Sequence, residues 1–131
     1  MRAADTNLLV RYFTADDTRQ VGLVDRFFNE CMDGRETVFI SIPVICELTW
    51  VLSFSHGFLK TEIADALLRL LDQPLFEIER EPLVRRALAS YRTGRGGLTD
   101  CLIGELAADA GCRDTVTLDK ALKGSPGFTL L

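Results

Sequence analysis

Between Glu36 and Lys60 the chain carries one formal charge at neutral pH, the carboxylate of Glu47. A run this apolar either crosses a membrane or supplies much of a core. Residues 37–59 are long enough to span a bilayer. Pro43, Glu47, His56, Gly57 and several Ser and Thr residues interrupt them, and an ionised carboxylate at mid-bilayer costs at least ~2.5 kcal/mol. The run divides more naturally into the β-branched strand TVFIS (Thr37 to Ser41) and a helix whose first turn holds Pro43. No membrane span is expected.

The same alternation runs through the chain. Arg2 to Asp5 reads as a short opening strand, and Leu8 to Phe13 as the start of a helix. Arg19 to Met32 forms the next helix, with Val21, Val24, Phe27 and Phe28 at helical spacing and Asp33-Gly34 as its break. The helix from Pro43 runs to about Phe54, with Gly57 as its stop, and Thr61 to Asp72 is amphipathic, with Ile63, Leu67, Leu70 and Leu71 along one face. Leu75 to Ile78 is a strand, Glu81 to Tyr91 a helix, and Arg92 to Gly97 a loop of Arg and Gly. Thr99 to Ala110 is helical, with Leu102, Ile103, Leu106, Ala107 and Ala110 inward and Gly111 as the stop. Thr115 to Leu118 and the closing FTLL are strands. Strands alternating with helices predict an α/β fold, a parallel sheet with helices on both faces. With no repeat or linker, residues 1–131 read as one domain.

Composition narrows the function. A net charge of -4 excludes a general polyanion binder, so any nucleic acid must be met through a local basic patch or bound cations. Cys31, Cys46, Cys101 and Cys112 form no CxxC pair and read as reduced thiols of a cytoplasmic protein. The opening MRAADTN lacks the long apolar region of a signal peptide.

In open α/β sheets, ligands bind outside the carboxyl ends of the strands. Asp5 and Asp119 end strands there, and Glu47 lies early in the helix after TVFIS. Asp100 opens a helix that leads into a strand, so simple alternation leaves its edge undetermined unless the loop before it crosses back. Asp5, Asp100 and Asp119 each have a plain alternative as helix or turn caps. Glu47 does not, being more than a turn beyond the cap position. On helical spacing it shares a face with Pro43, Trp50, Val51 and Phe54, expected as core more readily than as a partner groove lined by Trp50, Phe54 and Phe58, and no Lys or Arg lies within a turn. Burying a lone carboxylate is expensive unless it is paired or metal-bound. Converging carboxylates without His or Cys would suit Mg2+ or Mn2+. Such a site activates water for phosphodiester hydrolysis.

Four stretches, DTNLLVRY, ISIPVICELTWVL, LTDCLIGELAADAGC and TVTLDKALKGSPGFTLL, resemble PIN-domain ribonucleases, and more narrowly VapC-type toxins of bacterial toxin–antitoxin pairs. The resemblance covers nearly the whole chain in order. It implies a Rossmann-like PIN domain and Mg2+- or Mn2+-dependent endonucleolytic cleavage of RNA. By position, the family's acids match Asp5, Glu47, Asp100 and Asp119. Asp5 and Asp100 are expected as the main direct ligands, with Glu47 and Asp119 able to act through bound water. Thr6, Asn7, Ser41 and Thr99 match supporting polar positions. The resemblance also brings the N-terminus of the Asp100 helix to the site. Many relatives carry a further Asp where this chain has Gly97, so the chain departs from the family by one acid that a second metal ion could use.

Arg80, Arg85, Arg86, Arg92 and Arg95 cluster in an otherwise acidic chain, and Arg92 and Arg95 lead into Thr99-Asp100. They read equally as a phosphate-contacting rim or as a solvated face and loop. The resemblance further implies a small antitoxin that blocks the site with a basic side chain, and a homodimer. A housekeeping PIN nuclease and a non-catalytic partner-binding domain remain alternatives. Receiver and haloacid-dehalogenase sites do not fit, because LFEIER lacks a phosphoacceptor Asp and the first strand ends in DTN rather than DxD.

Overall fold

A computed structural model describes all residues 1–131. Backbone contacts divide the chain into two compact units, Met1–Glu81 and Pro82–Leu131, which are described in turn.

The first unit is built on a three-stranded parallel sheet, β1 (Arg2–Ala3), β2 (Val38–Ile40) and β3 (Phe76–Ile78), in that spatial order. Arg2 pairs with Val38, and Ile40 with Ile78. The central strand has no exposed edge, and Val38 and Ile40 are fully buried. Between the strands come α1 (Thr6–Phe13), α2 (Thr18–Asp33), α3 (Ile42–His56) and α4 (Lys60–Asp72).

Local chemistry sets their ends. Asp5 and Asp17 cap α1 and α2 with their carboxylates. Ser41 caps α3, Pro43 occupies its first turn, and Gly57 ends it in the left-handed region at φ 67. Tyr12, Phe28 and Phe76 pack edge-to-face at centroid distances of 5.3 and 5.4 Å, joining α1 and α2 to β3.

Helix α3 turns a different stripe to the core from the one its spacing suggests. Its core face is Ile45, Leu48, Thr49 and Leu52. Pro43, Glu47, Trp50 and Phe54 are exposed, Trp50 at 59% and Phe54 at 74%. Because nearly every residue of the helix is apolar, spacing could not tell the buried stripe from its neighbour. Glu47 is therefore no buried carboxylate, and its charge is solvated without a cationic partner or a metal.

The second unit holds α5 (Glu81–Thr93), α6 (Leu98–Asp109), β4 (Thr115–Thr117), a 3-10 turn (Lys120–Leu122) and β5 (Phe128–Leu130). β4 and β5 pair in parallel, Thr115 with Phe128 and Thr117 with Leu130. α5 extends past Tyr91, so Arg92 lies in its last turn rather than in the following loop. α6 buries Leu98 and Leu102, whereas Ile103 and Ala110, expected inward, are exposed. Gly111 follows α6 at φ 88, the stop expected of it. The α/β alternation and the parallel pairing match the sequence reading, with hydrogen bonding dividing the strands into groups of three and two. No helix is long and apolar enough to cross a membrane.

Candidate functional site

The carboxyl ends of β1, β2 and β3 carry Asp5, Ser41 and Glu79. Asp5 is exposed, and its Oδ1 accepts the N–H of Thr6 at 2.8 Å. Thr6 itself is buried, and its Oγ1 has no hydrogen-bond partner. Asn7 is exposed on the first turn of α1. Ser41 Oγ accepts the N–H of Val44 at 3.4 Å, a long capping bond. Glu47, in the second turn of α3, forms no hydrogen bond or ion pair.

Glu79 escaped the sequence reading. Its backbone N–H continues the ladder to Ile40 O at 2.9 Å, and its Oε1 accepts the N–H of Ile42 at 2.8 Å. It thereby satisfies an orphan donor in the first turn of α3 and places a negative charge at that helix's positive end. The available signal was its position, an acid directly after a strand.

In the second unit, Asp100 Oδ2 accepts the N–H of Gly97 at 3.1 Å, closing the first turn of α6. Thr99 beside it is exposed. Asp119 follows β4, and its Oδ1 accepts the N–H of Ala121 at 2.9 Å. Asp119 N–H donates to Thr117 Oγ1 at 3.0 Å. Each of these aspartates, like Asp5, performs the capping role considered for it and still leaves one carboxylate oxygen without a donor.

A cavity of about 110 Å³ lies in this unit, walled by Asp100, Arg95, Ser90, Ser125, Leu122 and Phe128. Two glycines shape it. A Cβ at Gly104, inside α6, would stand 3.0 Å from the Phe128 ring, and one at Gly96 would meet Leu122 Cδ2 at 2.9 Å. Glycine inside a helix costs about 1 kcal/mol relative to alanine. At Gly104 that cost permits the ring to lie flush on the helix. Arg95, also on the lining, is exposed. Arg86, by contrast, is engaged with Glu105 at 2.9 Å. Burial pushes the Tyr91 hydroxyl above its usual range, and the nearby Cys101 adds to the shift.

The four acids form no ion pair, although the chain has 15 Lys and Arg residues. Oxygen-only ligands of this kind suit a hard divalent cation, but no group of three or more Asp, Glu, His or Cys side chains that could hold a metal ion is found in the chain. Asp5 and Glu47 lie in the first unit, Asp100 and Asp119 in the second.

A parallel α/β arrangement with acids following its strands defines a class, and the comparison with known families agrees: the PIN-domain model matches residues 3–124, and the chain belongs to that family. Within it, the chain is similar to a protein named VapC ribonuclease from Aquifex aeolicus (strain VF5), 26% identical over 123 residues, covering 94% of this chain and 90% of that protein.

Proposed function

We propose that the chain is a Mg2+- or Mn2+-dependent endoribonuclease, the toxin of a VapC-type toxin–antitoxin pair. It hydrolyses RNA phosphodiester bonds with Asp5, Glu47, Asp100 and Asp119, in one PIN domain whose family match runs across both units. The observation that carries this reading is the PIN-domain match over residues 3–124, which takes in all four acids. Each of the four keeps a carboxylate oxygen with no cationic partner, so each is open to a metal ligand role.

In this reading Asp5 and Asp100 bind the ion directly, and Glu47 and Asp119 hold its waters. The ion supplies a water of lowered pKa and offsets phosphate charge. The backbone N–H groups of Thr6 and Gly97 fix the rotamers of the two direct ligands. Thr6, Asn7, Ser41 and Thr99 support the acids, and Arg92 and Arg95 receive flanking phosphates.

The antitoxin partner has a physical rationale on α3. Glu47, Trp50 and Phe54 follow one another along one exposed face, and the two rings stack with centroids 5.2 Å apart. A partner helix seated on that apolar pair is led toward Glu47, where a basic side chain would neutralise the acid. We assign this face to the antitoxin, and we place the protein in the cytoplasm as a homodimer.

The test is cleavage of a labelled single-stranded RNA by the full chain with and without Mn2+. The proposal expects metal-dependent cutting, lost in Asp5→Asn and Asp100→Asn, both of which keep an oxygen for the capping bond. Cutting that survives both substitutions, or a folded chain that never cuts, overturns it.

A further inference from the structure

The cavity beside Asp100 has a composition that the acid site does not require. Phe128, whose ring meets α6 at Gly104, and Leu122 line it, together with Ser90, Ser125 and the exposed Arg95. An aromatic ring, two serines and an arginine around one cavity suit an aromatic ring carrying polar edges and joined to an anion.

We propose that this cavity receives one unstacked pyrimidine base of the RNA, adjacent to the nucleotide held at Asp100. The inference rests on the nuclease reading above. Single-stranded RNA is recognised by stacking splayed bases on aromatic side chains and by hydrogen bonds to their edges. The phosphate joined to that base meets Arg95, whereas an aromatic side chain of a protein partner would bring no anion to it. Size sets the preference. A cavity of about 150 Å³ encloses benzene, and this one, at about 110 Å³ and open at its mouth, admits a single six-membered ring in part. A purine leaves more of its ring surface outside it.

Two readouts test the assignment on the full chain. Cytidine 5′-monophosphate should shift the backbone amides of Gly104 and Ser125 in NMR spectra recorded without divalent metal, and adenosine 5′-monophosphate should shift them far less. In a random RNA pool cut with Mn2+, sequenced ends should show a pyrimidine enriched on the order of tenfold at one position next to the cut, the scale of discrimination that pocket size gives. Ser125→Leu, and independently Ser90→Leu on the exposed face of α5, fill the slot and should remove both the amide shifts and the enrichment. Shifts that spare Gly104 and Ser125, or an enrichment unchanged in both folded variants, overturn the inference. So do amides that respond to an antitoxin peptide and not to the nucleotide. A chain that cuts no RNA yet shows the cytidine shifts ends the nuclease reading and keeps the nucleotide site. Cutting without base preference or shifts does the reverse.

Discussion

The Glu79 carboxylate, at the end of β3, accepts the backbone N–H of Ile42, in the first turn of α3, at 2.8 Å. This one bond ties a strand terminus to the helix that carries Glu47. Ser41, the formal cap, reaches its own partner only at 3.4 Å, so Glu79 holds much of the helix start. Glu79→Ala should destabilise the chain by about 1 kcal/mol, as loss of a cap and of a favourable charge at a helix N-terminus does. Glu79→Gln, which keeps an acceptor, should recover part of it. Urea unfolding of the three proteins checks the order.

The exposed rings of α3 lead to the opposite kind of outcome. Trp50→Ala and Phe54→Ala remove side chains that are mostly in solvent and should change stability by no more than about 0.5 kcal/mol. Co-purification with the proposed antitoxin, co-expressed, should nevertheless fall sharply. Unaltered co-purification would take the antitoxin off this face.

The core face of the same helix responds differently. Leu48 is fully buried, and Leu48→Ala should cost about 2–5 kcal/mol. A thermal melt comparing it with Trp50→Ala separates the two faces directly.

Asp16 gives a pH signature. The Thr14 hydroxyl, 3.0 Å from Asp16 Oδ1, holds the carboxyl below its usual range, with the charges of Arg11 and His56 adding to the effect. His56 Nδ1 stands 3.6 Å from Asp16 Oδ2, and Arg11 3.1 Å from Oδ1. A carboxyl lowered on folding contributes stability that is present above its unfolded pKa, about 3.9, and is lost as pH falls through the lower folded value. The advantage of the wild type over Asp16→Asn should hold at pH 7 and disappear under acid. Melting both proteins between pH 7 and pH 3 checks it.

Much of this was legible beforehand because separate signals agreed. At α3, the strand TVFIS, Pro43 and Gly57 fixed a start and an end, and the helix occupies Ile42–His56. Gly111 likewise marked the end of α6 at a position that needs φ 88. What failed was orientation. In α3 and α6 almost every side chain is apolar or small, so no polar stripe told the sequence which side faces water, and Trp50, Phe54 and Ile103 were turned the wrong way. Glu79 was missed because its role depends on Ile42, a residue far away in sequence and adjacent only once β2 and β3 pair. The acids were found by position and resemblance, while their freedom from cationic partners emerged only in three dimensions.

The central claim is that Asp5, Glu47, Asp100 and Asp119 act together on one divalent ion. Calorimetric titration of Mn2+ into the full chain at pH 7 tests it most directly, alongside Glu47→Gln and Asp100→Asn. The account predicts a bound ion in the wild type and an affinity at least about tenfold weaker in each variant, the usual penalty for disturbing a metal's ligands or their supports. A folded wild type that binds no Mn2+, or variants that bind it as tightly, would contradict it.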